Sequence, residues 1–362
     1  MNTLHIYLNH LDYNYQSIRR RLNPETALIA VVKAAAYGSE TLPMAKRLEQ
    51  LGVSSLAVAY AQEGETLRKG GIKIPILVFY PQPEGLEIIL ANELEPCLYS
   101  EAIFKKFSQL LDQNNKMHYP VHIKYNTGLN RVGFPPEKVS WVLEQLENQR
   151  VELKSVYSHL AAAEAQNNTL LNQQQIESFL RLRTQHLTIL KTQPIFHLLN
   201  SSGVFNYPEC QFDAVRCGIG LHGFANRPEW DQELKSVVEL TSKISQIHHV
   251  KKGGFVGYDH GWEAAQDTVI ATLPIGHADG IGRHFGNHKA NVLLHQSWVP
   301  IVGNICMDML MIDVTGVPCK EGDEVSFFGG KQSAAEFAQK GGTISYELLT
   351  GIGSRVKRIV HS

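Results

Sequence analysis

The stretch Leu28–Gly38, L-I-A-V-V-K-A-A-A-Y-G, ends an apolar run of five residues at a lysine. Such a run has the length of a buried strand in a parallel sheet. An ammonium among apolar neighbours is costly to desolvate, so its pKa falls and it becomes a usable amine nucleophile or base. Other apolar runs also end in polar residues. Lys124, Asn126, Thr127 and Arg131 follow one, in V-H-I-K-Y-N-T-G-L-N-R. His159 ends the next, Asn200, Ser201 and Ser202 follow another, and Arg216, Gly218 and Gly220 lie in D-A-V-R-C-G-I-G. The loops N-S-S-G and C-G-I-G have small residues whose backbone N–H groups can approach an anion. A phosphorylated ligand beside a desolvated lysine is the chemistry this set suggests. Pyridoxal 5′-phosphate combines a phosphate with a lysine-reactive carbonyl. Each residue alone also fits a structural role, and only their convergence carries the reading.

The elements that must position these residues follow a regular rhythm. Strand-like runs fall at about 28–32, 53–59, 74–79, 94–99, 119–125, 153–158, 195–199 and 212–216. Helical patterns over 42–51, 63–69, 83–91, 101–113, 136–149 and 172–190 separate most of them. Alternation of this kind predicts an α/β fold, a (β/α)8 TIM-like barrel, in which the strand ends converge on one rim. A doubly wound open sheet competes with it, and the pattern alone leaves the choice open. After about residue 230 helical periodicity nearly vanishes. Glycine-punctuated apolar runs follow, so a C-terminal β-rich domain is expected. The division is residues 1–231 for the barrel and 232–362 for the β-domain, with short helices near 333–340 and 344–351.

Composition excludes several classes. The chain has 362 residues, 43 % hydrophobic and 19 % charged, with a net charge of −1, which disfavours nucleic acid or an anionic membrane surface as partner. No signal peptide or membrane-length apolar run is visible. Five scattered cysteines without a C-x-x-C fit free thiols in a reducing cytoplasm. His284 and His288 have metal-ligand spacing, but Gly286 between them argues against a site, and no metal is expected.

The motifs V-V-K-A-A-A-Y-G (31–38), V-H-I-K-Y-N-T-G-L-N-R-V-G-F (121–134), Y-S-H-L (157–160), N-S-S-G (200–203) and F-D-A-V-R-C-G-I-G-L-H-G (212–223) continue into the second half. There they are joined by G-Y-D (257–259), P-I-G-H-A-D-G (274–280), V-G-N-I-C-M-D-M (302–309) and I-S-Y-E-L-L-T-G-I (344–352). Together the set resembles the barrel-type, pyridoxal-phosphate-dependent alanine racemases over nearly the whole chain. The resemblance implies that Lys33 binds the cofactor covalently and is the base for the D-isomer, with Tyr258 the opposite base for the L-isomer. It implies phosphate contacts from Tyr37, Ser201, Gly218, Ile219 and Tyr346, and places Arg216, backed by His159, at the pyridine nitrogen. Arg131 and the backbone N–H of Met307 take the substrate carboxylate, and Lys124 matches a lysine that many members carry as a carbamate. It further implies a homodimer in which Tyr258 crosses into the partner's site, a cytoplasmic location and D-alanine made for peptidoglycan. The alternatives are a broad-specificity or serine racemase and, from another class, a non-catalytic cofactor-binding protein on the same barrel.

The physical logic agrees with the resemblance, since inverting a carbon centre through a planar carbanion needs a base on each face. An arginine cannot give up its proton to the ring nitrogen, which weakens the electron sink and suppresses transamination. Ala35, Cys217, His222, His277 and Asn304 depart from commoner family residues, Asn, Pro, Tyr, Tyr and Arg respectively; His277 and Asn304 bear on the substrate entrance. The alanines at 34–36 are expected to leave room for the cofactor.

Overall fold

A computed structural model describes residues 2–147, 150–165 and 169–362. Nineteen strands run in chain order through it. β1 is Thr3–Tyr7; β2 to β9 are Ala27–Val31, Ser55–Val58, Ile76–Val78, Glu95–Leu98, Tyr119–Lys124, Val151–Tyr157, Ile195–His197 and Ala214–Cys217. β2 to β9 pair in sequence order, all parallel, and close into a barrel when β9 pairs β2 with Ala27 opposite Ala214. Closure decides against the open sheet. All eight expected runs are barrel strands; most are short apolar runs buried on both faces, while β7 has exposed Glu152 and Lys154 in its first half.

Helices follow the strands as expected, among them Thr41–Gln50, Ala61–Lys69, Glu101–Gln113 and Thr169–Ile189. The expected helix at 136–149 begins as a 3-10 turn, Pro136–Lys138, and continues as Val139–Leu146; residues 148 and 149 lie outside the described residues. The last barrel strand has no long helix of its own behind it. The helix Leu8–Arg19 covers that position instead: buried Asn14 donates to Leu221 O at 3.1 Å and to Lys235 O at 2.7 Å, and accepts from Lys235 N at 2.7 Å.

The remaining strands are β10 (Val238–Lys243), β11 (Gln246–Val250), β12 (Phe255–Val256), β13 (Trp262–Glu263), β14 (Thr268–Leu273), β15 (Asn291–Leu294), β16 (Ser297–Val302), β17 (Leu310–Asp313), β18 (Glu324–Phe328) and β19 (Lys357–His361). All but β12 and β13 join β1 in one sheet, ordered β11-β14-β17-β16-β15-β18-β10-β1-β19. Here the structure departs from the division at residue 231. β1 lies antiparallel to β10 and parallel to β19, so the first strand of the chain belongs to the second sheet. Its burial alternates residue by residue, as a strand with one covered face requires.

The joint after β2 is unusual. Ala34, Ala35, Ala36 and Tyr37 all have φ between 49° and 56°, a left-handed helical turn beginning just after Lys33. For L-residues this conformation costs roughly 1–2 kcal/mol each. The surroundings hold it in place. The Glu63 carboxylate accepts from Ala34 N–H at 2.6 Å and Ala59 N–H at 2.7 Å, and Ser39 Oγ donates to Ala36 O at 2.6 Å. Gly38, with φ 80°, sits so close to the helix Ser345–Thr350 that a Cβ would lie 2.0 Å from Leu349 O. Ala34 and Ala35 are exposed and do not line the cavity described below. The alanines therefore answer to backbone conformation rather than to room for a cofactor: alanine has the smallest side chain to fit a left-handed turn.

Asparagine enters the left-handed region more readily than alanine, and a β-branched residue is a true outlier there. Ala35→Asn is therefore expected to keep or raise the midpoint of thermal unfolding. Ala35→Val is expected to lower stability by about 1–2 kcal/mol. Equal midpoints for the two variants would mean that the turn is not held in solution.

Candidate active site

At the C-terminal rim of the barrel a cavity of about 290 Å³ is lined by Lys33, Tyr37, Lys124, Arg131, His159, Ser201, Arg216, Gly218, Ile219 and Tyr346. Ten of the twelve residues expected from sequence thus meet in one place. Tyr346 reaches it from the second domain, where its Oη accepts from Asn226 Nδ2 at 3.0 Å and its ring lies 6.0 Å from that of Tyr37. Burial pushes the Tyr346 phenol up to about 12 and that of Tyr37 higher still, so both stay protonated hydrogen-bond donors.

The charge of the cavity is one-sided. Lys33, Lys124, Arg131 and Arg216 line it, and no aspartate or glutamate does. Desolvation first, and then the positive field of Arg131, lowers the Lys33 pKa; Glu63 opposes this. Lys124 is 3 % exposed, faces the rings of Tyr80 and Tyr157 at 5.6 and 5.8 Å, and is lowered to about 8, mainly by desolvation. His159 is held neutral by desolvation and by Arg216 beside it.

One wall is built to admit an anion. Ser201 Oγ accepts from the N–H groups of Gly218 and Gly220 at 3.1 and 3.0 Å. A Cβ on Gly218 would stand 2.1 Å from Tyr37 Oη, so only glycine lets that hydroxyl reach the loop. The cavity is also lined by Arg216, buried at 4 % exposure. It donates to the carbonyls of His197, Ser158 and Leu198 and to the ring nitrogens Nδ1 of His197 and His159. Four cations, a glycine cradle and two phenols fit a phosphate group, and an amine of lowered pKa among them fits a carbonyl carbon. The donor set therefore matches a phosphorylated carbonyl compound.

Two expected residues stand elsewhere. Tyr258, 70 % exposed, and Met307, 59 % exposed, line a separate cavity of about 590 Å³ with Gly257, Cys306, Asp308 and Met311. Within one chain neither joins the Lys33 site. Tyr258 opens a turn in which Gly257 has φ 82° and Asp259 φ 56°, and Asn304 Nδ2 donates to its carbonyl at 3.0 Å. His277 is exposed and its N–H donates to Cys306 O, while His222 is buried against Tyr37 and lowered to about 4 by desolvation. The cavity also has residues that the strand-end pattern missed, chiefly Tyr80 and Tyr157. Tyr80 follows β4 as Lys33 follows β2, so the same rule finds it. Tyr157 is the last residue of β7, where an aromatic side chain continues the apolar run and does not stand out as a polar strand end. Among the described residues no group of three or more His, Cys, Asp or Glu is placed to hold a metal ion.

Comparison with known proteins agrees with this architecture. The family model "Alanine racemase, N-terminal domain" matches residues 6–226, and "Alanine racemase, C-terminal domain" matches 237–360. The chain is similar to the alanine racemase of Treponema denticola, at 35 % identity over 98 % of this chain and 96 % of that one. Among solved structures it is similar to alanine racemase of Clostridium difficile, with TM-score 0.92 at 31 % identity, covering 99 % of this chain and 95 % of that one. Another is the alanine racemase of Bartonella henselae with covalently bound pyridoxal phosphate, with TM-score 0.89 at 29 % identity, covering 99 % of each chain. Matches to both domain models and to a relative along almost its full length leave one conclusion: the chain belongs to the alanine racemase family.

Proposed function

We propose that this protein interconverts L-alanine and D-alanine by a two-base mechanism, with pyridoxal 5′-phosphate held in the barrel cavity. The observation that carries this is the lysine of lowered pKa inside a carboxylate-free ring of cations, beside the Ser201–Gly218 cradle. When bound, the cofactor supplies a carbonyl for the substrate amine and an electron sink that acidifies its α-carbon.

The chain's own residues do the rest. Tyr37, Ser201, Gly218, Ile219 and Tyr346 would hold the phosphate of the bound cofactor, and Arg216, backed by His159, would meet its ring nitrogen. Lys33 Nζ would be the base on one face, and its lowered pKa puts more of the neutral amine at neutral pH. The second base, Tyr258, comes from a second copy of the chain. Its exposure on a surface apart from the Lys33 cavity supports that reading, because a base stranded in water has nothing to act on. Met307 lines the same surface and arrives with it, where its backbone N–H joins Arg131 on the substrate carboxylate. A homodimer is then a requirement of catalysis.

Lys124 is the exception in the cationic ring. A carbamate forms only from a neutral amine. At a pKa of about 8 rather than 10.5, Lys124 has an appreciable neutral fraction near neutral pH, and that fraction grows as pH rises. A carbamate would replace a repulsive Lys124–Arg131 pair with an attractive one and so hold Arg131 toward the substrate. The five cysteines are free, which supports a reducing compartment. No helix among the described residues is long and apolar enough to cross a membrane. On the family resemblance, the enzyme is cytoplasmic and its D-alanine feeds peptidoglycan.

Chiral chromatography of alanine, serine and a basic amino acid is expected to show racemisation with alanine preferred. Lys33→Ala is expected to remove both activity and the visible absorbance of the bound cofactor; absorbance that persists would count against Lys33 as its attachment point. Tyr258→Phe is expected to slow racemisation by ~10²–10⁴ while Lys33 still exchanges the α-proton of D-alanine with solvent deuterium. Mixing Lys33→Ala and Tyr258→Phe chains restores one intact site per mixed dimer, so activity should return. No return would place Tyr258 in its own chain's site. Intact mass in bicarbonate is expected to reveal one added carbon dioxide, increasing as pH passes about 8 and absent from Lys124→Ala.

A further inference from the structure

Arg216 has no carboxylate partner among the described residues, yet it is almost wholly buried. Desolvation lowers its pKa to about 10. A buried cation normally needs a counter-charge, and its absence costs several kcal/mol. The structure supplies one at a distance. Arg216 Nη1 lies 2.6 Å from His197 Nδ1, and His197 Nε2 lies 2.9 Å from Ser155 Oγ. Ser155 Oγ lies 2.6 Å from His122 Nδ1, and His122 Nε2 lies 2.9 Å from Glu95 Oε2. The chain crosses the barrel interior through neighbouring strands β9, β8, β7, β6 and β5, from the rim that holds the cavity to the first residue of β5.

A local irregularity in the sheet makes the chain possible. Val121 stands opposite Leu153, but His122 stands opposite Ser155, so the β6–β7 register skips Lys154. Without that bulge His122 would face Lys154, and Ser155 would point to the other side of the sheet. Ser155 and His197 are completely buried. The Tyr157 ring stacks on His197 at 4.7 Å and 7°, and Arg216 lies 5.0 Å over the same ring.

The two ends fix the direction of every proton. A guanidinium cannot accept, so His197 Nδ1 must present its lone pair and its proton must sit on Nε2. That N–H donates to Ser155 Oγ, whose single proton then goes to His122 Nδ1. His122 in turn carries its proton on Nε2, which donates to the Glu95 carboxylate, a group that only accepts. Each link is satisfied in one orientation and no link is left over.

We propose that Glu95, His122, Ser155 and His197 are positioning residues for Arg216, a one-way hydrogen-bond chain that balances its charge from the far end of the barrel and holds the guanidinium against the cofactor's ring nitrogen. The placement of Arg216 at that nitrogen rests on the function proposed above; the chain itself rests on the geometry. The burial of His197, together with the charge of Arg216, keeps its ring neutral, as the chain requires.

The test is nitrogen NMR of the full-length protein labelled at histidine, before and after addition of pyridoxal 5′-phosphate, with His122→Gln and His197→Gln to assign the signals. Both rings are expected neutral with the proton on Nε2. Ser155→Ala is expected to lower kcat about tenfold, the worth of one buried hydrogen bond, with KM for alanine within about twofold, and Ser155→Thr is expected to restore it. Glu95→Gln, which removes the charge and keeps an acceptor, is expected to keep both tautomers and lose part of kcat. A proton on Nδ1 of either ring, a doubly charged His197, or an unchanged kcat in Ser155→Ala would overturn the proposal. If the tautomers are as stated but the wild type neither racemises alanine nor absorbs in the visible, the proposed function fails and the hydrogen-bond chain stands. If racemisation is present and the tautomers differ, the chain alone fails.

Discussion

Positive charge gathered in a dry place is the constraint on which the rest of this structure depends. Lys33, Lys124, Arg131 and Arg216 line one cavity without a carboxylate among them. In water such a group would repel only weakly, but inside the barrel mouth the repulsion and the desolvation are both larger. Each cation meets this in a different way. Lys33 and Lys124 move toward neutrality. Arg131 stays at the exposed edge, near Tyr80. Arg216 cannot lose its proton readily, so it takes three carbonyls and two imidazoles as acceptors. The same imbalance makes the cavity a receptor for an anion, and an anion is what would relieve it.

The fold is arranged to maintain that condition. Parallel strands bring their C-terminal ends to one rim, and eight of them surround a packed core. The second sheet contributes at two ranges. Its helix Ser345–Thr350 packs on the strained turn after Lys33 and delivers Tyr346 to the same chain's cavity. The turn at Tyr258 instead faces outward. Placing β1 in that sheet ties the start of the chain to its end, and so fixes how the barrel and the sheet meet. Strain at residues 34–37 is tolerated because Glu63, Ser39 and Gly38 hold the turn from three sides.

The sequence was most legible where side-chain chemistry and chain rhythm coincide. The eight barrel strands are short and mostly apolar, and residues at or just after their ends supply most of the cavity lining. Those signals are local, so one chain read in order contains them. Less visible were features that depend on what lies across a strand or a domain. Nothing in T-L-H-I-Y announces that its partners are 238–243 and 357–361. Tyr157 and His197 read as ordinary buried strand residues, and their stacking appears only when β7 and β8 lie side by side.

By itself, then, the sequence determined eight strands alternating with helices, the β-rich second half, the lysine that follows the first of those eight strands and most of the groups around it. It did so because hydrophobic periodicity and residue type are properties of the linear chain. Closure of the strands into a barrel was decided by the tertiary structure. The tertiary structure decided the left-handed turn behind the alanines, the separation of Tyr258 from Lys33 and the line of polar groups from Arg216 to Glu95. These depend on register, on a single bulge between Val121 and His122, and on which surfaces remain exposed. Such quantities come into existence only when residues far apart in the chain are packed together.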